Sequence, residues 1–185
     1  MNKPALLAPL FLLLLAPPVH AELRLGGQVE FVGTDVTSGT EESASDAGVG
    51  AFAQFRRTLD SDLVVGAHLS FGGSSPNFDF PGGRRIETSA GADLLGLLAF
   101  SGDSYIPVIM LGYSSLDVVG PKDEMERKEE TLTGWKFAFG AEFEFTEDFI
   151  LHTLFQFADY GGKMFHGEDV NATQTSLRLG FAFRF

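Results

Sequence analysis

Thr175 to Phe185, TSLRLGFAFRF, alternates without interruption: Leu177, Leu179, Phe181, Phe183 and Phe185 fall on one face of an extended strand, and Arg178 and Arg184 on the other. Successive side chains of a strand point to opposite faces, so this period sorts the residues onto two surfaces. Leucine and phenylalanine opposed by arginine suit a wall with hydrocarbon outside and water or ion pairs inside. A soluble sandwich would turn the same apolar face into its core. The rest of the chain has to decide between the two.

At the other end, residues 1–21 have the layout of a secretory signal: Lys3, then the apolar run Ala5 to Ala16, then Val19-His20-Ala21 as a small-residue cleavage site. The run is too short for a helix that must cross ~30 Å of hydrocarbon, and no later segment supplies one. Removing 21 of the 185 residues leaves 164, enough for one domain at 22–185. The chain contains no cysteine, which excludes disulfides, thiolate metal sites and a cysteine nucleophile. With 25 acidic against 13 basic residues it repels nucleic acid, whose binding needs clustered cations. No cofactor or metal site is expected.

Between these ends, eight strand-like segments are predicted at 22–33, 47–58, 63–72, 88–100, 105–114, 132–145, 149–159 and 174–185. The connections alternate. Leu59 to Asp62, Ser101 to Ser104 and Thr146 to Asp148 are short, whereas Thr34 to Asp46, Gly73 to Glu87, Ser115 to Thr131 and Tyr160 to Thr173 are long and polar. An antiparallel barrel spanning a membrane has this pattern, with short turns on one side, long loops on the other, and both termini at the short-turn side when the strand count is even. The predicted fold is therefore all-β: an eight-stranded antiparallel up-and-down transmembrane barrel.

Parity supports this reading in most segments. Trp135, Phe137, Phe139, Ala141, Phe143 and Phe145 share a face opposed by Lys136, Glu142 and Glu144, while Leu23, Leu25, Val29 and Phe31 oppose Arg24, Gln28 and Glu30. Arg57 and Thr153 break the apolar face of segments two and seven. Segments four and five are apolar on both faces, so parity leaves their register open. Aromatics gather near the segment ends, as interfacial girdles do: Phe31, Phe71, Tyr113, Trp135 and Phe157 at one rim, and Phe55, Phe100, Tyr105, Phe145, Phe149 and Phe185 at the other.

The residues assigned inward, Arg24, Arg56, Lys136, Arg178 and Arg184 against Glu30, Asp93, Glu142 and Glu144, are nearly balanced in sign. Eight strands enclose a space about wide enough for side chains to fill it. Opposite charges confined there should pair, because an unpaired one costs several kcal/mol. The interior is thus expected to be a plug. His68 and Ser70, two apart on the inward face, are read as packed interior residues in preference to part of a hydrolytic set.

As a whole, 22–185 resembles the small eight-stranded outer-membrane barrels: the OmpA transmembrane-domain, OmpX/Ail and opacity-protein group. Gly134 to Gly161 followed by SLRLGFAFRF resembles that group's closing hairpin and last strand. Leu177, Leu179, Phe181, Phe183 and Phe185, ending on an aromatic, resemble the signal read by the barrel-assembly machinery. The resemblance implies a monomer integral to a bacterial outer membrane, both termini periplasmic, with outer-membrane lipids and lipopolysaccharide as partners. The leading expectation is a non-enzymatic structural or surface-interaction barrel whose loops meet a host or surface ligand. Arg84, Arg85, Arg127 and Lys128 are candidate phosphate contacts. A narrow or gated pore is the alternative, and a lipid A-modifying enzyme the second.

Overall fold

The computed structural model describes residues 21–59, 62–80, 84–102, 105–120, 128–165 and 168–185, and the expected signal segment lies outside them apart from Ala21. Its strands are β1 (Ala21–Ser38), β2 (Thr40–Thr58), β3 (Leu63–Gly73), β4 (Asn77–Phe80), β5 (Arg84–Phe100), β6 (Tyr105–Gly120), β7 (Lys128–Glu144), β8 (Phe149–Phe165) and β9 (Glu168–Arg184). All neighbours pair antiparallel in the order β3-β2-β1-β9-β8-β7-β6-β5-β4, and pairing of β3 with β5 closes the ring. Eight strands thus form a closed barrel, and β4 is a short addition on the upper part of β5.

The end carrying the short turns also carries the meeting of the chain ends, where the Phe185 amide donates to the Leu23 carbonyl at 2.8 Å. We call this the lower end. Phe145 donates its amide to the Phe149 carbonyl at 3.0 Å across the turn at 146–148, and the Thr146 hydroxyl accepts from the Phe149 amide at 3.0 Å.

Strands of 16 to 19 residues are common here, while a bilayer needs only ~9–11. The excess lies at the upper end and corrects the sequence-based boundaries. Thr34 to Asp46, expected to be a loop, is strand on both sides of a tight reversal in which Ser38 faces Thr40 and Gly39 adopts φ 76°, a conformation open to glycine at little cost. Much of 160–173 likewise extends β8 and β9, with a register shift between Tyr160 and Lys163. Residues 115–120 and 128–131 extend β6 and β7, and residues 77–80 form β4 within the expected link 73–87.

These extensions read as loops because the alternation inverts at the upper girdle. On β1 the apolar outward set ends at Phe31. Above it Asp35 and Thr37 point out, while Val32, Thr34 and Val36 are buried inside. Phe157 gives way in the same manner to Asp159, and Leu177 to Thr173 and Asn171, with Tyr160 and Ala172 inside. Below the switch the outside meets hydrocarbon; above it the outside meets water, and the apolar side chains turn inward. The lipid-facing stretch of β1, Leu23 to Phe31, spans about 20–25 Å at ~3.3 Å per residue with a barrel's tilt. This matches an outer-membrane apolar band.

Both girdles form. Tyr113 and Trp135 are cross-strand partners with ring centroids 4.4 Å apart at the upper rim, and Phe145 and Phe149 stand edge-to-face at 6.4 Å at the lower. Segments four and five acquire their register from pairing: Asp93 and Leu95 point in, Leu94 and Leu98 out, with a bulge between Thr88 and Gly91.

Candidate functional site

Four layers of side chains fill the barrel interior. At the lower end Arg24, Arg56 and Arg184 meet Glu22, Glu142 and Glu144, three cations and three anions. Arg24 donates to Glu142 at 2.7 Å and to Glu22; Arg56 donates to the other oxygen of Glu142; Arg184 donates to Glu144 and lies 3.2 Å from Glu22. Glu142 is 1% exposed and its two guanidinium partners 3% and 2%. Buried charges persist only when paired and hydrogen-bonded, which this arrangement provides.

Above this layer Phe52 lies between two imidazoles, 5.3 Å from His68 and 4.6 Å from His152, both stacked. The Gln54 amide links the layers, accepting from Arg56 Nε at 3.1 Å and donating to His68 Nδ1 at 3.1 Å. Two glycines make room. A Cβ on Gly180 would lie 2.0 Å from His152 Nε2, and one on Gly26 would lie 2.6 Å from the Phe52 ring. To one side Val64, Leu95, Leu97, Ala99, Ile106, Val108, Met110, Ala138 and Leu154 form a continuous apolar core.

The upper ionic layer centres on Asp93. Its carboxylate accepts from Ser70 (2.8 Å), Ser114 (2.6 Å), Lys136 (2.8 Å) and Arg178 (3.2 Å), and Arg178 also donates to Glu30 at 2.9 Å. Two cations again face two carboxylates. A cavity of about 20 Å³ beside them has room for roughly one water. Tyr160 closes the layer by bonding Ser114 (2.9 Å) and donating to Gln174 (3.0 Å). Over it an apolar cap joins Val36, Phe78, Phe80, Ile86, Leu116, Val118, Leu132 and Val170 to the Tyr160 ring. The two phenylalanines of β4 explain this strand's placement, since its alternate residues seal the upper end.

All nine charges assigned inward from parity lie in these two layers, and each has an opposite charge within 4 Å. Glu22 joins the lower layer in addition to these nine, and it shares the parity of Arg24. Ser70 turns to Asp93 and Arg178, not to His68. Leu177, Leu179, Phe181 and Phe183 line the outer wall of β9, and Phe185 follows directly beyond its end, all exposed. Arg85 is exposed, donates to Asn77 at 3.0 Å and lies 3.9 Å from Asp79, a surface contact of small energetic weight. The side chains of Arg84 and Lys128, and all of Arg127, lie outside the described residues.

A closed barrel with girdled aromatics, a lipid-facing band and an ion-paired interior is a transmembrane β-barrel of the bacterial outer membrane. The chain belongs to the family described as Outer membrane protein beta-barrel domain, whose model matches residues 5–185. Its fold is similar to that of Ail, the attachment invasion locus protein of Yersinia pestis: TM-score 0.60, 12% identity, 88% of this chain and 98% of that one covered. A second Ail structure, in complex with the heparin analogue sucrose octasulfate, gives TM-score 0.57 at 12% identity, with 88% and 99% covered. Neisserial surface protein A gives TM-score 0.54 at 15% identity, with 87% and 97% covered. No curated protein matches the sequence. The protein is thus an outer-membrane β-barrel, and it shares its barrel fold with Ail and Neisserial surface protein A.

Proposed function

We propose that this protein is a sealed, non-enzymatic barrel that presents a rigid collar at the cell surface, and that surface interaction, not transport, is its role. The observation that carries this reading is the filling of the interior, two neutral ionic layers with an aromatic and aliphatic layer between them and an apolar cap above. A solute would have to break several buried ion pairs, each several kcal/mol when one partner is removed. On this reading the short-turn end with both termini is periplasmic, the protein is a monomer, and the barrel-assembly machinery reads the terminal strand.

The collar is acidic on its outer surface. Asp35, Glu41, Glu129, Asp159 and Asp169 are exposed there, against Lys163 and Arg85 among the described residues. A polysulfated glycan such as the heparin analogue in the Ail complex would meet repulsion on that surface. A cationic ligand, or lipopolysaccharide phosphates bridged by divalent cations, suits it better. Two measurements test the proposal together. Purified barrel in planar bilayers should show no conductance steps, and deleting its gene should raise detergent or serum sensitivity or lower adhesion. Steady open-channel currents with unchanged envelope properties would overturn it in favour of the pore.

A further inference from the structure

The outer wall is not uniform. Pairing sets Phe55, Ala67, Gly96 and Leu111 side by side across β2, β3, β5 and β6, and Arg57, Val65, Leu98 and Ile109 in the next row toward the lower end. In the first row a phenylalanine and a leucine flank alanine and glycine, so the wall is dented. The groove holds about 380 Å³, room for roughly a dozen methylene-sized groups at the ~30 Å³ a water occupies in the liquid. It lies on the lipid-facing side, and its lining is otherwise apolar.

Arg57 borders one end of it. By strand parity it faces outward, two residues below Phe55, the lower-girdle residue of β2. It also borders the polar mouth at the lower end, a cavity of about 600 Å³ that it shares with Glu22, Arg24, Arg56, Thr58 and Arg184. The guanidinium therefore stands where hydrocarbon gives way to water, with the groove running from it toward mid-membrane. A cation at the interface and a chain-sized apolar trough leading inward are the two features a lipid phosphate and its acyl chain require together.

We propose that this groove is a binding site for one glycerophospholipid, its phosphate on Arg57 and one acyl chain over Ala67 and Gly96 between Phe55 and Leu111. Ordinary boundary lipid would exchange freely along the wall; this one is held by charge and shape. Given periplasmic termini, the lipid belongs to the inner leaflet, but binding itself does not depend on that orientation or on the surface role.

Native mass spectrometry of the detergent-purified barrel tests it, with dioleoyl phosphatidylglycerol and the phosphate-free dioleoylglycerol as probes. Wild type should retain a single phosphatidylglycerol, and excess dioleoylglycerol should leave it in place. Arg57→Gln should lower that retention about tenfold, the size of one charge-assisted hydrogen bond, and leave dioleoylglycerol unaffected. Ala67→Leu, which adds bulk on the lipid side only, should lower retention of both. Equal retention by all three proteins, or displacement of the phospholipid from wild type by dioleoylglycerol, would overturn the proposal. The competition in wild type stands even if a variant fails to fold.

Discussion

Replacing Glu142 by glutamine keeps the shape of the side chain and removes the charge shared by two guanidiniums. Arg24 retains Glu22 and, at 3.6 Å, Glu144. For Arg56, 2% exposed, the remaining contact among the described residues is its 3.1 Å bond to Gln54. Leaving one cation buried without its carboxylate costs about 3–5 kcal/mol. With a urea slope of about 2 kcal/mol per molar, the unfolding midpoint should fall by roughly 1.5–2.5 M. Fluorescence of Trp135, the single tryptophan, exposed on the lipid face, reports the transition from phospholipid vesicles. Arg56→Met combined with Glu142→Gln should cost less than the two changes summed, since no orphan charge remains at Arg56. A midpoint shift below about 0.25 M at unchanged slope, or strict additivity, would refute the reasoning and imply a lower layer wet enough to screen its charges.

Gly180→Ala should destabilise the barrel by about 1–3 kcal/mol through collision with His152, read as a lower temperature for loss of the compact band on unboiled gels. Leu179→Lys, on the outer face of β9, should cost about 2–4 kcal/mol if Leu179 lies near the bilayer centre and less if it lies near an interface, measured by the same urea titration. Phe185→Ala keeps the backbone pairing with Leu23, so refolding of purified protein into vesicles should be nearly unchanged while outer-membrane yield in cells falls. Equal losses in both settings would assign Phe185 to stability and not to assembly.

The membrane-embedded part was legible because two solvents impose the strongest contrast a strand can carry. Phe181 and Arg178, or Phe137 and Lys136, leave no doubt about which side is which. Partner choice was not legible: Arg24 and Glu142 are 118 residues apart, and parity says only that both point inward. Above the girdle the contrast weakens, since Thr34, Ser38, Ser43 and Ser45 are acceptable on either side, and TDVTSGTEESASD reads as a link although Thr34, Val36 and Ser38 keep the inward beat. β4 is not legible in the sequence because its two phenylalanines in four residues sit among Gly, Ser and Pro. The stack of His68, Phe52 and His152 depends on the absence of side chains at Gly26 and Gly180, a signal that exists only once strands are side by side.

The reversal of polarity at Phe31, Trp135 and Phe157 acts as a draught mark on a hull. Sinking the molecule by two residues would drag the carboxylates of Asp35 and Asp159 into oil; raising it would lift the ring of Trp135 out of the interface and strand phenylalanines in water. If the collar faces the cell surface as proposed, its height above the membrane is set by the chain's own polarity, and whatever it meets is met at one fixed distance.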